Sequence, residues 1–85
     1  MLRFVNVGFG NIINKDRIVG VLSPSLSSTK QLVSKSREEE RLLDVTTNRK
    51  IKSVLVTDCG YVYLCALSTD TIMGRLNDEN DGKED

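Results

Sequence analysis

Eighty-five residues with a formal net charge of zero, 39% of them hydrophobic and 28% charged, describe one small globular domain rather than a disordered chain. No apolar run reaches the roughly 18 residues that a bilayer span requires, and the start of the chain lacks the long apolar stretch of a secretory leader. There is no histidine, and Cys59 and Cys65, about 20 Å apart along one extended segment, can form neither a disulfide nor a zinc site.

The charges are unevenly placed. Residues 78–85 carry five acids and one base, which leaves eleven bases and seven acids in residues 1–77, a net of +4. The division predicts one domain over 1–77 and a disordered, solvated acidic tail over 78–85. A core this small covers only about 60–65% of the surface of its unfolded chain, so self-association is expected. With no leader and no span, the expected location is the cytoplasm.

Along the chain, alternation predicts a strand over Leu2–Val7, with Phe4 and Asn6 on one face and Arg3, Val5 and Val7 on the other. Gly8-Phe9-Gly10-Asn11 breaks it, and the two glycines suit a bulge or a tight turn. Ile12-Ile13 and Arg17–Leu22 read as further strand on either side of the polar turn Asn14-Lys15-Asp16. Pro24 stops the run.

A helix begins in the serine cluster, with Ser27 or Ser28 as its cap, and ends near Glu39–Arg41. Glu40 stands where glycine would end it more cleanly. Leu42–Thr46 reads as a short strand and Thr47–Lys50 as a turn in which Asn48 takes positive φ. Ser53–Thr57 is apolar on both faces, as a covered central strand is. A hairpin loop at Asp58-Cys59-Gly60 returns the chain into Tyr61–Leu67, and a last helix, capped by Ser68 or Thr69, covers Asp70–Leu76. The order predicts an α+β domain: a small, mostly antiparallel sheet with one central helix and a short C-terminal helix. These strands carry more apolar surface than the two helices can cover, a second reason to expect self-association.

Chemistry-bearing groups are sparse. Without histidine, the usual activated nucleophiles are missing, and Asp16, Asp44, Asp58 and Asp70 are explained by turns and caps. Gly8-Phe9-Gly10 fails as a dinucleotide loop, because Ile13 holds the third glycine's place and a strand follows. No enzymatic activity, cofactor, metal or small-molecule substrate is expected. The informative residues are basic: Arg49, Lys50 and Lys52 put three cations in four residues before a buried strand, and Arg17 starts another strand. Cations on loops held by a rigid sheet are placed to meet phosphates, although basic turns also protect sheet edges.

Arg3–Asn11, Arg17–Pro24, Leu42–Thr46, Val54–Asp58 and Thr71–Leu76 together resemble the RemA family of bacterial extracellular matrix regulators, from about Met1 to Leu76. The resemblance implies a DNA-binding transcriptional regulator of matrix (biofilm) genes, a fold similar to the LytTR DNA-binding domain, and a homo-oligomer. The family's arginine after the second loop matches Arg17. Its basic turn, Gly-Arg-Arg-Thr-Arg, reads Asn48-Arg49-Lys50-Ile51-Lys52 here, so two arginines are lysines that keep charge but lose the bidentate fork. Ser28 and Thr29 stand where the family favours proline and an apolar residue, and Glu40 replaces its glycine. The sequence therefore leads us to expect a regulator of double-stranded DNA, working as a homo-oligomeric ring. Arg17, Arg49, Lys50 and Lys52 would meet phosphates, and Arg49 is best placed to reach a base edge. The alternative is an oligomeric scaffolding subunit that binds no DNA.

Overall fold

The alternation at the start of the chain becomes β1, Phe4–Gly8, in which Val5 and Val7 are fully buried while Phe4 and Asn6 face out. The computed structural model describes residues 3–77; the tail expected over 78–85 lies outside the described residues. β1 pairs antiparallel with β2, Asn11–Asn14, and the register shifts between Asn6 and Gly8, where the glycine pattern called for an irregularity. A 3-10 turn over Lys15–Arg17, capped by the Asn14 side chain accepting from the Asp16 N–H, leads into β3, Ile18–Leu22.

The helix α1 covers Ser27–Glu38, but neither Ser27 nor Ser28 caps it. The cap position falls to Leu26, which makes no side-chain cap bond. Its N–H instead returns to the Ser23 carbonyl at 3.4 Å, closing a turn over Pro24-Ser25, so the helix starts as soon as that turn is complete. At the other end Glu40 does take the glycine conformation, with φ +59°. The Arg41 N–H reaches the Ser36 carbonyl at 2.8 Å and the Glu40 N–H reaches that of Arg37 at 3.1 Å, a Schellman closure made without glycine. Thr29 is buried on α1, and its hydroxyl has no partner among the described residues. An apolar side chain at that position would leave no polar atom unsatisfied there.

β4 covers only Leu42–Asp44, two residues less than expected, because Asp44 Oδ1 accepts the Thr46 N–H at 2.9 Å and its hydroxyl at 2.6 Å and folds the chain away. β5, Ser53–Thr57, is the covered central strand that its composition predicts. β6, Val62–Cys65, returns beside it, with Gly60 at φ +93° in the loop. α2 covers Thr69–Asn77, and Ser68 Oγ caps it by accepting the Thr71 N–H at 3.1 Å.

The α+β class holds, with two differences from the expected sheet. β1 and β2 form a separate two-stranded ribbon, and the four-stranded sheet runs β3-β5-β6-β4 with β4 parallel to β6. The crossover through α1 carries the chain from one sheet edge to the other, which is why the last pairing is parallel. The sheet is covered on both faces. α1 packs on Val54, Val62 and Leu64, joined by Leu22, Leu32, Val33, Leu42 and Ile51. On the other face Leu55 and Cys65 pack with Val5, Val7 and Ile13 of the ribbon and Ile72 of α2. The Cys65 thiol donates to the Val7 carbonyl at 3.2 Å and ties ribbon to sheet. The apolar surface that the two helices alone were not expected to cover is thus covered within the chain, by α1 on one face and by the ribbon with α2 on the other. The large apolar side chains that remain exposed among the described residues are Phe4, Phe9 and Ile12 on the ribbon, Val19 and Leu43 on the sheet edges, Leu26 and Tyr61 in connecting segments and Met73 on α2.

Candidate nucleic-acid interface

Three of the four predicted cations come together where the chain enters β5. Thr47 and Asn48 both take positive φ, +55° and +64°, and the Arg49 N–H closes the turn on the Thr46 carbonyl at 3.1 Å. Asn48 does so at little steric cost, whereas the β-branched Thr47 is strained there. Ile51 then buries its side chain partly under α1, and the Lys52 N–H binds the Cys65 carbonyl at 2.8 Å. Where the resembling family has threonine, isoleucine therefore anchors the turn. Arg49, Lys50 and Lys52 stand exposed around that anchor, and none forms an ion pair within the described residues. Asp44 supports the turn from below. The Thr46 hydroxyl and then the Thr46 amide, with a weaker pull from Arg37, hold its carboxyl below the usual range.

One further residue joins this end, and it was absent from the sequence-based set. The guanidinium carbon of Arg49 sits over the Phe9 ring, 4.0 Å from its centroid. Phe9 is the tip of the β1–β2 ribbon and half exposed. It carries φ +55° between Gly8 at +107° and Gly10 at +85°. The only sequence signal was an aromatic residue placed between two turn glycines.

Arg17 is elsewhere. It lies past the opposite end of β5, where its Nη1 meets Asp58 Oδ2 at 3.3 Å and its carbonyl accepts the Asp58 N–H at 2.9 Å. Nearby, Arg41 pairs with Glu39 at 3.8 Å and crosses Gly60 so closely that a Cβ there would stand 2.6 Å from its Nη1. Five residues of strand separate the two ends, about 16 Å at the usual rise per residue. Within one chain the four cations thus form an unpaired trio and a separate, carboxylate-paired arginine. Among the described residues no three His, Cys, Asp or Glu side chains gather as metal ligands would, and no helix is long and apolar enough to cross a membrane.

Comparison with known proteins places these features in a wider set. Residues 4–76 match the RemA-like family, described as extracellular matrix regulatory protein A-like. Relatives from Bacillus cytotoxicus, Bacillus mycoides and Bacillus cereus are each 40% identical over 84 residues, 99% of this chain and 97% of theirs. Each carries the name "Putative regulatory protein".

Proposed function

Since the chain belongs to the RemA-like family, whose description is regulatory, we propose that it regulates transcription by binding double-stranded DNA, at genes of the extracellular matrix. The observation that carries this reading is the unpaired trio Arg49, Lys50 and Lys52, held on an anchored turn. Phosphates attract such cations without first displacing a carboxylate. Arg17 serves as a second, weaker phosphate contact. Because it stands about 16 Å from the trio, a duplex meeting both must run along the direction of β5 or bridge two copies.

The assembly we propose is a cytoplasmic homo-oligomer, with a fold related to the LytTR DNA-binding domain. The strand order supports head-to-tail contact. β3 and β4 are edges on opposite flanks, and each exposes an apolar side chain, Val19 on one and Leu43 on the other. A groove beside β3, lined by Ile18, Val19, Gly20, Val21, Met73 and Leu76, extends that flank. Contact between unlike flanks closes into a ring when its rotation permits. The same edges favour the second reading, a scaffold that assembles and binds no DNA.

Titration of a labelled duplex at two salt concentrations separates the two. DNA binding through three phosphate contacts per engaged copy gives a log–log salt slope of roughly −3 per copy. Light scattering then gives the mass, and a persistent 9.5 kDa species refutes the ring. A multimer that ignores DNA at low salt leaves the scaffold.

A further inference from the structure

The Gly8-Phe9-Gly10 tip is costly to build and belongs to neither hydrophobic cluster. Three successive residues hold positive φ, a conformation that a phenylalanine rarely adopts. The loop is nevertheless pinned from several sides. Asn6 Oδ1 accepts the Gly8 N–H at 2.7 Å, and the Asn11 side-chain amide donates to the carbonyls of Gly8 at 2.9 Å and Phe9 at 3.4 Å. Leu67 lies 3.3 Å from where a Gly8 Cβ would stand, so the loop packs flat on the end of the sheet. The result is a rigid mount that presents a half-exposed ring to one partner, Arg49.

The chemistry of that contact matters. A long exposed arginine explores many rotamers, and ordering it on binding opposes association. A guanidinium resting its face on a ring is restrained, yet its in-plane N–H donors stay free for a phosphate or for the paired acceptors of a guanine edge. Lys50 and Lys52 have neither a ring partner among the described residues nor a planar head to seat.

We propose that Phe9 is a positioning residue, whose ring holds the Arg49 guanidinium in the orientation in which it meets DNA. The proposal rests on the DNA-binding reading above. Phe9 acts through Arg49 and makes no contact with DNA of its own.

The test pairs two readouts on the full chain: NMR shifts of the Arg49 side-chain protons without DNA, and duplex affinity by fluorescence anisotropy. In the wild type the ring shifts those protons upfield. Phe9→Leu, which keeps apolar bulk but removes the aromatic face, abolishes that shift and weakens binding about two- to fivefold per engaged copy. Phe9→Trp retains both the shift and the affinity. In an Arg49→Ala background Phe9→Leu costs nothing further. Unchanged affinity in Phe9→Leu overturns the proposal, as does an equal loss in the Arg49→Ala background, which would put the ring itself on DNA. Should Phe9→Leu not fold, Phe9→Trp still decides, since lost binding with the shift retained also overturns it. A wild type that shows the shift but binds no duplex refutes the DNA reading and the proposal with it. A wild type that binds duplex without the shift refutes the proposal alone.

Discussion

At the start of β5, Arg49, Lys50 and Lys52 stand in solvent with no carboxylate against them among the described residues, and an aromatic ring supports the first. At its far end Arg17 is tied to Asp58 and Arg41 to Glu39. Counting basic residues treats the two ends alike. Their electrostatics differ, because a phosphate arriving at Arg17 must compete with a carboxylate already in place. An exposed pair of that kind is worth about 0–1 kcal/mol to the fold, so Arg17 remains available, but less readily than Arg49. Under the proposed DNA-binding function, the difference assigns most of the binding to the Phe9 end.

The largest expected effect tests that assignment. Replacing Arg49 and Lys50 together with alanine should weaken duplex binding about tenfold or more and flatten the salt slope by about two per engaged copy. Arg17→Ala should cost only about two- to threefold. The melting midpoint of both variants should stay close to wild type, since exposed substitutions rarely exceed about 0.5 kcal/mol. Equal losses of affinity at the two ends would erase the contrast.

A smaller effect of opposite sign comes from the partner acid. Asp58→Asn frees Arg17 and removes a negative charge, so affinity should rise about two- to threefold and the salt slope should steepen. Weaker binding in this variant would mean that Asp58 holds Arg17 in its productive position rather than masking it.

The smallest effect concerns acid. Asp44 has its folded pKa lowered, chiefly by the Thr46 hydroxyl. A carboxylate of this kind favours the folded state fully above its unfolded pKa of about 3.9, and the contribution is lost as pH falls through the lower folded value. Melting curves from pH 6 downwards should therefore show wild type losing stability below about pH 4 more steeply than Asp44→Asn. Parallel curves would show that the Asp44–Thr46 contact does not brace the turn below Arg49.

Period-two patterning made β1 legible in sequence, since Val5 and Val7 differ so plainly from Phe4 and Asn6, and the doubly apolar run over Ser53–Thr57 identified the central strand. Turn chemistry was equally direct at Asn48 and Gly60, whereas positive φ at Thr47 and Glu40, side chains that seldom adopt it, was not legible. Contacts between distant residues were not legible. Arg17 and Asp58 lie 41 positions apart, and Phe9 and Arg49 are comparably remote, so no local rule couples either pair. The ribbon's departure from the main sheet was hidden for the same reason: alternation says which face of β1 is buried, not which strand lies beside it. At the helix start a local rule pointed to Ser27 or Ser28 as the cap, but the turn over Ser23–Leu26 put Leu26 in that position instead.

The two open edges of the main sheet lie on opposite flanks, so in the proposed ring each chain would be bivalent toward its own kind, with one donor flank and one acceptor flank. In the proposed ring, a chain spoiled at Val19 alone keeps a working β4 flank. It can still join a neighbour but offers nothing to the next, and so becomes a terminator. Mixed with wild type, a minor fraction of such chains would interrupt most closed assemblies, since one faulty member is enough to open a circle. A ring built through these two edges would thus be sensitive to a defective minority.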